Sequence, residues 1–150
     1  MKLLVFSDSH GTLSTMMEAV RRESPDHILH LGDYHKDAEA IAARFPIPLT
    51  SVPGNCDGAC GAAPIQVLTF CEKRIFMTHG HLHGVKMHYQ RLLYAGLEAQ
   101  ADLVLFGHTH RPECFRERGL WVMNPGACGV HGTYGVVEIT PDHLTCQVRA

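Results

Sequence analysis

The chain has 150 residues, 45% of them hydrophobic and 19% charged, which suits one globular domain that buries its core without disulfide or metal staples. Lys and Arg number 13 against 15 Asp and Glu, a formal charge of -2, so no basic surplus argues for a general nucleic-acid binder or an anionic-membrane binder. No run approaches the ~18 apolar residues of a membrane span, the opening apolar run stops at Ser7-Asp8, and the six cysteines form no C-x-x-C pair. The expectation is a reduced, cytoplasmic chain with a single domain over residues 1–150.

Leu3-Leu4-Val5-Phe6 is a short continuous apolar run ended by Ser7-Asp8-Ser9-His10-Gly11, which predicts a strand buried on both faces. Leu13, Met16, Met17 and Val20 recur at three- and four-residue steps, predicting an amphipathic helix over 12–23 with Thr12 as its N-cap. A second strand over 28–31 closes on Gly32-Asp33. A second helix over 37–44 puts Ala38, Ile41, Ala42 and Phe45 on one face and stops at Pro46. A third strand over 49–52 ends at Pro53-Gly54. Strand, helix, strand, helix, strand implies parallel strands joined by crossovers.

The second half reads differently. Residues 65–70 and 74–78 form a hairpin around Cys71-Glu72-Lys73. A third helix over 85–99 carries Val85, Tyr89, Leu92, Leu93 and Leu97 as its apolar stripe, and 103–106 is another buried strand. Four short strands near 113–116, 120–123, 134–139 and 144–148, divided by Gly, Pro and Asp turns, predict an antiparallel sheet. Two sheets face to face with helices outside fit this order.

Each apolar run ends in potential ligands: Asp8-Ser9-His10, Gly32-Asp33, Gly54-Asn55-Cys56-Asp57, His79-Gly80-His81 and Gly107-His108-Thr109-His110. Ligands in α/β sheets gather outside the carboxyl ends of the strands, and a neighbouring glycine lets backbone approach closely. Asp8, His10, Asp33, Asn55, His79, His108 and His110 can therefore converge. Any one cluster alone reads as a turn or a helix cap; five in order, each closing an apolar run, point to a metal centre. The set exceeds what one tetrahedral ion needs and suits two. Asp33 is the natural bridge, because a carboxylate offers two oxygens. Four imidazoles without thiolate disfavour Mg²⁺ or Ca²⁺ and suit Mn²⁺, Fe²⁺, Co²⁺, Ni²⁺ or Zn²⁺.

Asp8-x-His10, Gly32-Asp33, Gly54-Asn55, Thr78-His79-Gly80-His81 and Gly107-His108-Thr109-His110, taken together, resemble the calcineurin-like metallophosphoesterase superfamily. The short length, the Gly54-Asn55-Cys56-Asp57 form and Asn124-Pro125-Gly126 resemble its small YfcE-type phosphodiesterase branch. The resemblance implies a four-layer αββα sandwich of two mixed β-sheets. It implies a first metal held by Asp8, His10, Asp33 and His110 and a second held by Asp33, Asn55, His79 and His108. It further implies a dinuclear phosphoesterase, foremost a phosphodiesterase, that hydrolyses small phosphate esters by in-line attack of a metal-bridging hydroxide. The two divalent ions would be Mn²⁺ first, with Fe, Ni and Zn as alternatives. Partners would be a small phosphoester substrate and, since family members often pair, a second copy of the chain, with no specific nucleic acid and no membrane.

Two positions depart from the family pattern. Cys56 stands where many members carry a histidine, so the leaving-group acid is not identified, and Ala127 stands where Ser usually follows Asn-Pro-Gly. Beside the ligands, Asn55, His81 and Asp57 are the candidate catalytic residues. His81 could reach the phosphate or donate a proton; Asp57 could hydrogen-bond a ligand or cap the local turn. His83 and Arg111 are weaker candidates for phosphate contact. His27, His30, His35, His88, His131 and His143 read as surface or satisfied core histidines. The alternative function is a non-catalytic protein-binding scaffold on the same fold, as in a eukaryotic retromer subunit that lacks part of the ligand set.

Overall fold

Strand β1 (Lys2–Phe6) explains its own position: residues 3–6 are apolar without alternation and wholly buried, so both faces must be covered. A computed structural model, which describes residues 1–150, places β1 in the middle of a five-stranded sheet. On one side β1 pairs in parallel with β2 (His27–His30), and β2 in parallel with β3 (Leu49–Ser51). These connections run through α1 (Ser14–Glu23) and α2 (His35–Arg44), the alternation expected from sequence.

The second sheet has the order β4-β5-β6-β8-β7. The expected hairpin is β4 (Ile65–Phe70) and β5 (Lys73–Thr78), turning at Cys71 and Glu72, both left-handed. Strand β5 pairs in parallel with β6 (Leu103–Leu105). The remaining strands do not form the sheet of their own that the turn pattern predicted. Strands β7 (Glu113–Glu117) and β8 (Leu120–Asn124) join the second sheet, with β8 parallel to β6. Strands β9 (Tyr134–Thr140) and β10 (His143–Arg149) join the first sheet, with β9 antiparallel to β1. Hydrophobic pattern specifies burial, not partner, and turns specify only the nearest neighbour in sequence.

The sheets face each other across Leu3, Val5, Leu29 and Leu31 on one side and Ile75, Met77, Leu103, Leu105 and Met123 on the other. Behind the first sheet, Leu4, Phe6 and Ile28 pack on Met16, Ala19 and Val20 of α1 and Ile41 of α2. Behind the second, Phe76, Val104 and Val122 pack on Leu92 of α3 (Gln90–Glu98). The result is the four-layer αββα sandwich of two mixed sheets. No helix is long and apolar enough to cross a membrane.

Three local expectations are corrected. Helix α1 begins at Ser14 with Leu13 at the N-cap position, so Thr12 lies one residue too early to cap it. Helix α3 begins at Gln90 rather than 85, because residues 81–83 form a 3-10 turn closed by left-handed Gly84. A further short helix, α4 (Cys128–His131), is too brief to leave a periodic signal.

One buried charge ties α1 to the first sheet. Glu23, at the end of α1, is 6% exposed. Its carboxylate accepts from Arg149 Nη1 at 2.8 and 2.7 Å and from the Tyr134 hydroxyl at 3.0 Å, with Lys2 Nζ at 3.5 Å. Burial acts to raise the Glu23 pKa, but Arg149, Tyr134 and Lys2 outweigh it and hold the group below its ordinary 4.5. A carboxyl whose folded pKa is depressed contributes its stability above the unfolded pKa and loses it as pH falls through the folded one. Glu23→Gln should therefore lower Tm at neutral pH, with the difference from wild type shrinking below about pH 4.5; thermal denaturation across that range checks it.

Candidate metal centre

The loops after β1, β2, β3, β5 and β6 carry the candidate ligands, and hydrogen bonds across the sandwich show that they meet. His79, after β5 of the second sheet, lies with Nδ1 2.7 Å from Leu31 O, after β2 of the first. The His108 N–H, after β6, donates to Asp8 Oδ2, after β1, at 3.2 Å. Asp8 is wholly buried, and its Oδ2 also accepts from the Ser7 hydroxyl.

The other oxygen, Asp8 Oδ1, is buried without a hydrogen-bond partner, as is His10 Nε2. Three imidazole nitrogens surround Oδ1: His110 Nε2 at 3.2 Å, His79 Nε2 at 3.9 Å and His10 Nε2 at 4.0 Å. A carbonyl only accepts, so the Leu31 contact places the proton of His79 on Nδ1 and turns the Nε2 lone pair inward. That nitrogen lies 3.1 Å from Asn55 Oδ1 and 3.5 Å from Asp33 Oδ2. The Nε2 lone pair of buried His79 thus faces the oxygens of Asp8, Asp33 and Asn55, an arrangement that is costly unless a cation lies among them. Asp8, His10 and His110 form one group, and Asp8, Asp33 and His79 another, each with ligand atoms within 4.8 Å of one another. This donor set fits divalent transition-metal ions.

Asp8 is common to both groups, and Asp33, the bridge expected from sequence, belongs to the second. Asp33 Oδ1 accepts from the Cys56 N–H at 2.9 Å, which leaves Oδ2 toward His79. His108 lies outside both groups, with its ring 5.0 Å from that of His79. Burial, helped by His79 and Lys86 and opposed by Asp8 and Asp33, pushes its pKa down to about 4. It is therefore neutral at pH 7, the form that binds metal.

The other candidates fall at different distances. The His81 ring lies 5.5 Å from His79 and 6.1 Å from His108, and its Nδ1 is buried without a partner. Burial, then His79, lowers its pKa. His83 turns away to meet Phe76 edge-on at 5.9 Å. The two Asp57 oxygens accept from Gly54 N–H at 2.9 Å and His35 N–H at 2.8 Å. Burial would raise the Asp57 pKa, but these backbone donors outweigh it and lower it. Asp57 thus braces the turn that carries Asn55. Arg111 is exposed.

His30 is a satisfied core histidine, one of the two alternatives the sequence offered for it, and with Asn124 it holds these loops. His30 is wholly buried: Nδ1 accepts from Gly32 N–H at 3.2 Å, so Nε2 donates to Ser9 Oγ at 3.0 Å. Burial pushes its pKa down to about 4, and the neutral ring joins the Asp8 loop to the Asp33 loop. Asn124 Nδ2 donates to Gly107 O at 3.1 Å and Thr109 Oγ1 at 2.9 Å, while its Oδ1 accepts from Gly126 N–H at 2.9 Å. The Asn-Pro-Gly run was visible, but not the loop it holds.

Strain marks the same loops. Asp8 (φ 54°), His10 (φ 47°), Asp33 (φ 59°), His108 (φ 69°) and His110 (φ 64°) are all left-handed, at a cost on the order of 1–3 kcal/mol each. Glycines make room: a Cβ on Gly54 would overlap Asp33 Oδ1, and one on Gly107 would overlap Ser7 Oγ and come within 2.9 Å of Asp8 Oδ2.

Residues 1–142 match the family model of the calcineurin-like phosphoesterase superfamily domain. The chain is 34% identical over 129 residues to the probable metallophosphoesterase YsnB of Bacillus subtilis (strain 168), covering 85% of this chain and 75% of that protein. It is 27% identical over 170 residues to the phosphodiesterase YfcE of Escherichia coli (strain K12), covering 92% and 88%. Wild-type Vps29 from Entamoeba histolytica, solved in complex with Zn²⁺, superposes with a TM-score of 0.84 at 21% identity, covering 99% and 91% of the two chains; at that identity the likeness shows the fold alone. Gly107→Ala should displace Asp8 and weaken metal binding about tenfold or more, measured by calorimetric titration on protein whose circular dichroism is unchanged.

Proposed function

The chain belongs to the calcineurin-like phosphoesterase superfamily, and from that premise we propose that it is a dinuclear metal-dependent phosphodiesterase acting on a small phosphoester. The observation that carries this reading is the buried Asp8 Oδ1, unpartnered and facing the Nε2 atoms of His10, His79 and His110. Asp8, His10, Asp33 and His110 would hold one ion, and Asp33, Asn55, His79 and His108 the other. Bound there, two divalent ions, Mn²⁺ first and Fe, Ni or Zn otherwise, would supply Lewis acidity that generates hydroxide for in-line attack on phosphorus and offsets charge on the phosphate oxygens.

The chain's own residues prepare that site. The Ser7 hydroxyl and the His108 N–H orient Asp8 through Oδ2 and leave Oδ1 inward. Leu31 O sets the tautomer of His79. Asn55 presents Oδ1 to His79, while its Nδ2 has only Cys56 Sγ at 3.7 Å and can donate to a phosphoryl oxygen. The His81 ring lies beside those of His79 and His108 and would hydrogen-bond substrate phosphate. Asp57 acts as a positioning residue through the Asn55 turn.

Protein stripped with chelator should lose hydrolysis of bis-p-nitrophenyl phosphate and regain it with Mn²⁺. Asp8→Asn or His108→Ala should cut turnover at least about a hundredfold, since losing a ligand costs no less than losing its support. A chain that takes up no metal by elemental analysis overturns the proposal. One that binds two ions yet hydrolyses no phosphoester acts instead as a binding scaffold on this fold.

A further inference from the structure

Beside the metal centre lies a cleft of about 730 Å³ that shares His10 with it and is walled by Tyr34, Lys36, Cys56, Gly58 and Cys60. Tyr34 is the unexplained residue of this wall. Its backbone is left-handed (φ 71°), directly after left-handed Asp33. A bulky aromatic residue is an outlier in that conformation, which turns ordinarily give to Gly, Asn or Asp. Burial does not repay the strain, because Tyr34 is 45% exposed.

The surrounding contacts nonetheless hold the conformation. Asp33 Oδ1 accepts from Cys56 N–H, Asp57 accepts from His35 N–H, and Tyr34 O accepts from Asp37 N–H at 2.9 Å. The outcome is the position of the ring. Its centroid lies 5.0 Å from that of His10, with the planes 59° apart, on the cleft wall. An observed backbone outlier at a site is a ground for inferring function.

A phosphoester seated at the cluster must direct an ester substituent outward, and the cleft that begins at His10 is the space for it. We propose that Tyr34 is a substrate-recognition residue: its ring stacks against a planar aromatic ester group, so the preferred substrates are phosphodiesters with an aryl or nucleoside substituent. This rests on the phosphoesterase reading of the centre. Aromatic pairing beyond simple burial changes affinity by about fivefold.

The test uses two anions without a hydrolysable ester, methyl(phenyl)phosphinate and dimethylphosphinate, titrated into Mn²⁺-loaded protein and followed by ligand-proton relaxation. The phenyl compound should bind wild type at least about fivefold more tightly. Tyr34→Gly removes the ring and suits the positive φ, so Tm should not fall; it should lose affinity for the phenyl compound alone, bringing the ratio near one. Tyr34→Phe should keep the preference. A preference that survives Tyr34→Gly, or a wild type without one, overturns the assignment while dimethylphosphinate binding leaves the phosphoester reading standing. Absence of any phosphinate binding to metal-loaded wild type overturns that reading and this inference with it.

Discussion

A buried carboxylate oxygen that finds no donor within the chain organises this molecule. Asp8 Oδ1 sits just beyond β1, whose residues 3–6 are wholly buried, among the imidazole nitrogens of His10, His79 and His110. Leaving such a group unpaired costs free energy, and removing its neighbours' protons adds repulsion. A chain that ordered these groups for stability alone would pair Oδ1 with an N–H, as it does Oδ2. The asymmetry between the two oxygens of one side chain is the clearest physical sign that a cation belongs there.

The layered core makes that arrangement tolerable. Left-handed conformations at five ligand candidates sum to several kcal/mol even at about 1 kcal/mol each, comparable with a domain's whole net stability of about 5–15 kcal/mol. Each fully buried aliphatic or aromatic side chain contributes roughly 1.5–3 kcal/mol, and both sheets are buried on both faces in their middle strands. The rigid strands also set the accuracy of the site. His79 and Asp8 come from different sheets, yet the Leu31 O and His108 N–H contacts lock them together. His30 and Asn124 do the same for the loops, each with every ring nitrogen or amide atom engaged.

Much of this was legible beforehand, residue by residue. Unbroken apolar runs such as 3–6 and 103–106 announced buried strands, since no one-sided strand carries them. The pairing of glycine with acid or histidine at the run ends marked the loops. Other features left no such trace. Thr12 looked like a cap because residue type marks a side chain able to cap but not where the first helical turn begins, which puts Leu13 at that position. Tyr34 passed without notice, because a left-handed φ at a tyrosine is invisible until the backbone is seen.

The sequence by itself determined which segments are buried, which loops carry nitrogen and oxygen ligands, and which family the ordered motifs resemble, because periodicity and residue chemistry are local properties. Only the tertiary structure decided that β7 and β8 enter one sheet while β9 and β10 enter the other. It also decided that Asp8 Oδ1 faces both His79 and His110 and that Asp57 is spent on backbone donors. Those outcomes depend on distances between residues remote along the chain, which are set by packing of whole layers and not by any neighbouring residue.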